Sequence, residues 1–281
     1  LTPAAARPPA DATRWSPFLR ASAGVHALAV AAPLLAPQAL PWSLGALLLN
    51  HALISGAGLW PRSHLLGPNI TRLGAAATAR GEVALTLDDG PDETLTPLAL
   101  DLLDAAGARA TFFVIAERAL ARPALLREIV ARGHSVQNHS YHHRHNFSLL
   151  GPRGFQRELA RAQDALHRLT GERPRYFRAP AGLRNPFLQP VLARQCLQLT
   201  SWTRRGFDTR ERDPQRVLAR LTHRLAAGDI LLLHDHHAAQ AADGRPVLLS
   251  VLPALLRALR DAGLRSVTLP QAFATAHGHR P

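Results

Sequence analysis

Short apolar runs alternate with longer amphipathic segments through most of this chain, and that alternation most limits how it can fold. The runs Val83–Leu87, Ala110–Ile115, Tyr176–Arg178, Leu197–Ser201, Ile230–Leu233 and Arg265–Leu269 are too short for helices and read as buried strands. Between them, Pro97–Ala106 with Thr96 as its N-cap, Pro123–Arg132, Phe155–Thr170, Pro214–Ala227 and Val247–Ala262 read as helices, each followed by a glycine. Strands separated by helices pair in parallel, so the expected class is α/β. A chain of 281 residues can bury a substantial core, and one such domain uses most of it. No internal repeat is visible.

The first strand ends in Asp88-Asp89-Gly90-Pro91. Two adjacent carboxylates repel unless a cation or a proton sits between them, and Gly90-Pro91 forces a turn beyond them. A metal would resolve the repulsion if the chain supplied more ligands. The stretch Asn138-His139-Ser140-Tyr141-His142-His143 does, with His139 and His143 four apart. One helical turn would put both imidazoles on one face. Two His and one Asp, with room for water, make a workable zinc set. This is not a zincin helix, because no Glu follows His139. On spacing alone, surface histidines in a loop explain the pair equally well.

Two other strands end in polar groups. Tyr176-Phe177-Arg178 runs into Ala179-Pro180-Ala181-Gly182, and Ile230–Leu233 runs into His234-Asp235. In a barrel of alternating strands and helices, catalytic groups gather at the strand C-termini. Taken singly, Arg178 reads as a capping or ion-pair arginine and His234 as a hydrogen-bonded core histidine.

Together these stretches resemble the polysaccharide deacetylases of carbohydrate esterase family 4, the NodB-like group. The family's first motif appears as Thr86-Leu87-Asp88-Asp89-Gly90-Pro91, its second as Asn138 to His143, its third as Arg178 to Gly182 and its fifth as Leu231 to His234. Ala110–Ile115 looks like the family's second strand. The resemblance covers about residues 80 to 275 and implies a distorted (β/α) barrel of about seven strands. Three departures stand out. Leu87 replaces the usual Phe, and Ala181 stands where an aromatic is common. The fourth motif is represented by Trp202 to Thr209, with Asp208 as counterpart of the family's aspartate but no aromatic after it.

The resemblance implies amide hydrolysis on N-acetylated amino sugars with a divalent ion, zinc by expectation, on Asp89, His139 and His143. Such an ion lowers the pKa of water and polarises the carbonyl. Asp88 is then the general base, with Arg178 keeping that carboxylate charged and oriented. His234 suits the general acid because imidazole titrates near neutrality, and Asp208 would raise its pKa. The backbone N–H of Ala181 would assist at the oxyanion.

Net charge is +13 and every basic side chain is Arg, so lysine Schiff-base and P-loop lysine chemistry are excluded. The single Cys196 excludes intramolecular disulfides and a cysteine-based zinc site, and its apolar surroundings suggest a buried thiol. Arg212, Arg216, Arg220 and Arg224 recur every four residues, as a stripe on a helix starting near Pro214 would. Without interleaved aromatics or a binding motif, that stripe reads as a solvated face, and no nucleic acid is expected. Methionine is absent even at position 1, as a processed or trimmed chain, or one begun at an unusual codon, would show.

Between Arg20 and Arg62 there is no Asp, Glu, Lys or Arg. Ala21–Leu35 is apolar around His26, and Trp42–Trp60 holds only Asn50 and His51 as strongly polar residues. The second run is long enough to span a bilayer, and the pair looks like a membrane hairpin with Trp42 and Trp60 at interfacial positions. A helical pair buried against the barrel is the plainer alternative; a cleaved signal peptide would account for the first run alone. The expected division is a disordered, basic segment over 1–20, an apolar hairpin over 21–61, a linker over 62–80 and the deacetylase-like domain over 81–281. An inner (cytoplasmic) membrane location follows, with membrane lipid as a partner and the oligomeric state open. Arg14, Arg20, Arg62 and Arg72 flank the hairpin and favour a cytosolic barrel, whereas relatives acting on exported glycans favour the outside, which leaves the side undecided.

Three functions follow: an N-deacetylase of a polysaccharide or glycan, a deacetylase or deformylase of a polyprenyl-phosphate-linked amino sugar, and an inactive membrane-tethered glycan-binding protein. Retention of Asp88, Asp89, His139, His143, Arg178 and His234 together favours an enzyme, since a binder has no need of all six.

Overall fold

The computed structural model describes residues 15–274. In chain order its elements are α1 (Pro17–Leu35), α2 (Leu40–Leu59), α3 (Ala75–Ala79), β1 (Glu82–Asp88), α4 (Leu95–Ala105), β2 (Ala110–Val114), α5 (Ala116–Ala121), α6 (Pro123–Ala131), β3 (Ser135–Asn138), α7 (Pro152–Thr170), β4 (Tyr176–Phe177), α8 (Leu188–Arg194), β5 (Gln198–Leu199), β6 (Arg204–Arg205), α9 (Pro214–Thr222), β7 (Ile230–His234), α10 (Val247–Asp261), β8 (Arg265–Ser266) and α11 (Leu269–Ala272).

Strand β1 is buried along its whole length because both its faces are covered. Val83, Leu85 and Leu87 face outward into a layer with Leu103, Leu166, Leu221 and Leu252 of the surrounding helices. Ala84 faces inward with Phe113, Trp202, Ile230 and Leu232. This two-residue alternation lets one short strand serve two cores. Removing a single outer side chain, as in Leu85→Ala, is worth about 2–5 kcal/mol by cavity formation.

The pairing is parallel throughout, in the order β5-β4-β3-β2-β1-β7-β6, with β8 beside the start of β1. The edge strands β5 and β6 are neighbours in sequence, and the sheet curls into the expected distorted barrel, open between them. Residues 62–80, read from the sequence as a linker, include α3, and Ile70 and Thr71 bond to the chain beside this opening. Ile70 bridges Thr200, its N–H donating to Leu199 O at 2.8 Å, and Thr203 Oγ1 donates to Thr71 O at 2.7 Å.

Two strands carry no apolar signal. In β3 the polar Ser135 and Gln137 are buried, and Gln137 Oε1 accepts from the N–H groups of Arg175 and Tyr176 at 2.9 Å each. Strand β6 consists of Arg204 and Arg205 alone. Helix α4 starts earlier than expected, with Thr94 at its N-cap, because Thr96 is engaged elsewhere: its hydroxyl donates to Asp235 Oδ2 at 2.6 Å. Helix α9 stops at Thr222, so the four-arginine stripe does not form. Arg212 and Arg224 lie outside the helix, Arg216 pairs with Asp213 and Arg220 with Glu211. Cys196 is exposed rather than buried, since the backbone turns there with φ 56° and sends Leu197 inward instead.

The N-terminal helices form the expected apolar hairpin. Of the segment expected to be disordered over 1–20, residues 1–14 lie outside the described residues, and Pro17–Arg20 are already helical, with Ser16 Oγ accepting from Leu19 N–H at 3.2 Å. Helices α1 and α2 join through Asn50, whose Nδ2 donates to Ser22 Oγ at 2.9 Å. Away from this seam Leu28, Leu34, Leu35, Trp42, Leu48 and Leu49 stand exposed, so the pair is not buried against the barrel.

Candidate active site

The residues singled out in the sequence meet at the C-terminal ends of the parallel strands. Asp88 ends β1 directly opposite His234, which ends β7. His139 follows β3, and Arg178 follows β4. Asp88, His139 and His234 line a cleft of about 410 Å³ together with Ala181, Trp202 and Arg205, and Arg178 is buried beneath it.

Asp89, His139 and His143 converge, although not by the helical turn their spacing suggested. Residues 139–143 form a loop in which Ser140 and His143 have left-handed backbones, φ 69° and 53°. Asn138 Oδ1 accepts from Ser140 N–H at 2.8 Å, and Ser140 Oγ accepts from His143 N–H at 3.0 Å. These two side chains hold the reversal that brings the imidazoles to 4.7 Å between ring centres. Asn138 is itself held by Gln163 Oε1, which accepts from its Nδ2 at 3.0 Å. The sequence displayed Asn138 and Ser140 beside the histidines, but nothing in it assigned them this bracing role.

Asp89 Oδ1 lies 3.3 Å from His139 Nε2 and 3.2 Å from His143 Nε2. Two donors each about 2.0–2.1 Å from a tetrahedral zinc stand about 3.3 Å apart, so the set fits that ion. A second observation agrees: Asp89 Oδ1 is buried and has no hydrogen-bond partner in the protein. His139 Nδ1 lies 2.8 Å from the Arg178 carbonyl, an acceptor, which puts the proton on Nδ1 and turns the Nε2 lone pair toward Asp89. Burial works to raise the Asp89 pKa, but the adjacent His139, then the charges of His143 and His234, hold the carboxyl below its usual range. Burial pushes His143 down to about 4, toward the neutral imidazole a metal needs.

Asp88 meets a different partner. Arg178 Nη1 donates to Asp88 Oδ1 at 2.6 Å and to Thr86 Oγ1 at 2.8 Å, while its Nη2 donates to Ser201 O at 2.8 Å. The guanidinium is buried and stacks 4.0 Å from the Phe113 ring centre. Burial costs this cation and lowers its pKa, offset mainly by Asp88. A charge buried this deeply is tolerated because its partners are fixed around it.

Across the cleft, His234 Nδ1 lies 2.9 Å from Asp208 Oδ1, and its backbone N–H donates to Asp208 Oδ2 at 2.8 Å. Burial alone would lower the pKa of His234, but Asp208 overrides it and raises it above the ordinary value. Ala181 takes a left-handed backbone, φ 54°, in the turn between β4 and Leu183.

Several contributors were not picked out in the sequence. Asp235 accepts from Gly90 N–H at 3.1 Å and from Thr96, and so braces the turn after Asp89; burial pushes its pKa up to about 7. Arg118 Nη1 donates to the Asp89 carbonyl at 2.6 Å. His142 pairs with Glu158 at 2.7 Å. The adjacency of Asp235 to His234 was the one available signal; Arg118 and Glu158 lie on helices and gave none.

The profile of the polysaccharide deacetylase family matches residues 75–198. A chitooligosaccharide deacetylase of Sinorhizobium fredii is 33% identical over 202 residues, 70% of this chain and 94% of its own length. A peptidoglycan-N-acetylglucosamine deacetylase of Bacillus cereus is 29% identical over 199 residues, 70% of each chain. The structure of a family 4 carbohydrate esterase from Streptomyces lividans, solved with acetate, superposes with a TM-score of 0.60 at 33% identity, covering 66% of this chain and 91% of that one. With motifs, fold and a 33% identity over 70% of this chain in agreement, the chain belongs to the polysaccharide deacetylase family.

Proposed function

We propose that this protein is a metal-dependent hydrolase that removes N-acetyl groups from amino sugars of a glycan. The observation that carries this reading is the buried, unpartnered Asp89 Oδ1 between two imidazole Nε2 atoms, next to a second carboxylate that Arg178 engages separately. Asp89, His139 and His143 would hold a divalent ion, with zinc expected from the donor set, and a bound ion supplies Lewis acidity toward the amide carbonyl and toward water.

The remaining steps belong to the chain's own groups. Asp88, oriented by Arg178, takes a proton from the attacking water. The backbone N–H of Ala181, in the turn that lines the cleft, would assist at the developing oxyanion. His234, whose pKa Asp208 raises, gives a proton to the departing nitrogen. The amide C–N bond is replaced by C–O, leaving acetate and a free amine. The known substrates of the two relatives, peptidoglycan and chitooligosaccharides, support an N-acetylated glycan here. The exposed apolar faces of α1 and α2 support anchoring in the inner (cytoplasmic) membrane, with lipid as a partner.

The test is acetate release by purified, zinc-loaded protein from N-acetylated chitooligosaccharides and peptidoglycan fragments. Release that disappears on chelation and returns with metal is expected. Stoichiometric metal binding with no acetate from any N-acetylated amino sugar would overturn the enzymatic reading in favour of a glycan-binding protein.

A further inference from the structure

The chain that leaves α2 comes to rest against two arms of the candidate site. Pro61 stands two residues past the helix. Its carbonyl accepts from Ser201 Oγ at 2.6 Å and from Asn69 Nδ2 at 2.9 Å. Ser201 in turn offers its own carbonyl to Arg178 Nη2 at 2.8 Å, and Arg178 holds Asp88. One hydroxyl thus joins Pro61 to the residue that anchors the guanidinium of the base.

The other arm is the turn that carries Ala181. Its left-handed backbone, φ 54°, is one that a residue with a Cβ keeps only where the surroundings hold it. Gly182 follows with φ 75° and lies between Pro61 and Trp202. A Cβ on Gly182 would stand 2.6 Å from Pro61 Cβ and 2.7 Å from Trp202 Cη2. The turn is therefore held between one ring from the hairpin's exit and one from the barrel. Ala181, Gly182 and Trp202 all line the cleft.

Pro61 is itself fixed from both sides. Arg184, just past the turn, donates its N–H to Gly58 O at 3.1 Å and its Nη2 to Ser63 O at 2.5 Å. A Cβ on Gly58 would strike the Arg184 carbonyl, so the end of α2 meets this loop backbone to backbone. Asn69 Nδ2 also donates to Ser63 O at 3.1 Å, and the adjacent Ile70 bridges Thr200, next to Ser201. Proline suits a strut in this place, since its ring locks φ.

We propose that Pro61 is a positioning residue for the deacetylation. Its ring sets the Ala181–Gly182 turn, and its carbonyl, through Ser201, sets Arg178 and with it Asp88. This rests on the deacetylase reading and adds to it a residue outside the segment that the family profile matches. The exit of the apolar hairpin becomes part of the catalytic apparatus as well as an attachment. Neither contact reaches Asp89, His139 or His143, so zinc content separates this role from a general loss of fold.

The full chain in phosphatidylethanolamine–phosphatidylglycerol vesicles, with tetra-N-acetylchitotetraose as substrate, tests it. Pro61→Gly removes the ring and keeps the carbonyl; Ser201→Ala removes the hydroxyl and keeps the carbonyl that Arg178 uses. Each should lower kcat per bound zinc about 10–100-fold, the scale of a small misplacement passed to a reacting group, with KM and zinc stoichiometry as in the parent. Ser201→Thr, which restores the hydroxyl, should recover most of that kcat. Hydrogen exchange over residues 179–184 should quicken in zinc-free Pro61→Gly, while β3 exchanges as in the parent. Parent kcat per zinc in both variants, with exchange unaltered, overturns the inference and leaves the deacetylase reading standing. Zinc lost in proportion to activity, with parent kcat per remaining zinc, overturns it too and makes Pro61 purely structural. If Pro61→Gly does not fold, the Ser201 pair decides: a fall in kcat that Thr reverses supports the inference, and equal kcat in Ala and Thr overturns it. Acetate from neither the parent nor any variant overturns the deacetylase reading itself.

Discussion

Asp88 and Asp89 are adjacent in sequence yet held differently: Asp88 is bonded by a buried guanidinium, with its Oδ2 3.8 Å from His139 Nε2, whereas Asp89 sits against both imidazoles. That separation allows different roles to be tested one atom at a time. Asp88→Asn keeps the size and loses the proton acceptor, so turnover should fall by roughly 10²–10⁴-fold with metal content unchanged; metal analysis beside acetate assay checks it, and metal lost along with activity would mean the two roles are reversed. His234 has its own signature. Its pKa is raised in the fold, so the protonated acid persists to higher pH and the basic limb of the rate profile lies above the ordinary imidazole value. The sign for stability is the same: the His234–Asp208 pairing is at full strength below the unfolded imidazole pKa and is lost as pH rises through the folded one. Asp208→Asn removes the main cause and should move the basic limb to lower pH. A limb that stays in place would take His234 out of the acid's role.

At the level of elements, the sequence displayed what burial on both faces makes visible. Strands β1 and β7 are apolar runs because helices cover one side and the barrel interior the other. Strand β3 was missed because Ser135 and Gln137 satisfy a buried strand by hydrogen bonding instead of by hydrophobicity, and β6 because two arginines give no pattern. Most of the candidate site was legible, since each polar group interrupts an apolar run at its end. The backbone of 139–143 was not: a four-residue spacing is shared by a helical turn and by a loop reversed at Ser140, and side-chain bonds from Asn138 and Ser140 select the loop. Asn138→Ala should therefore lower metal affinity about 10–100-fold, the cost typical of losing an outer support of a ligand. Zinc titration against a competing chelator reads this, with far-UV circular dichroism confirming an intact barrel. Unchanged affinity in a folded variant would remove Asn138 from the support of the site.

For the molecule as a whole, the decisive relation is between the hairpin and the barrel, and no local pattern in the sequence encodes it. Pro61, two residues past α2, comes to rest against Gly182 at the cleft beside Trp202, which only the assembled fold determines. The hairpin is joined internally by Asn50 and Ser22 and leaves Leu48 73% exposed on its outer face. Two environments make opposite forecasts for that side chain. If the face meets water, Leu48→Arg places a charge where it is readily solvated, and surface substitutions of this kind usually change stability by no more than about 0.5 kcal/mol. If the face meets acyl chains, an arginine near the middle of α2 costs roughly 2.5–3.5 kcal/mol on insertion scales. The expected outcome is the second: Leu48→Arg protein should leave the membrane fraction on carbonate extraction, while the barrel retains zinc binding and turnover of soluble chitooligosaccharide. A Leu48→Arg protein that remains in the membrane fraction as firmly as the parent would show that this face is not held by lipid.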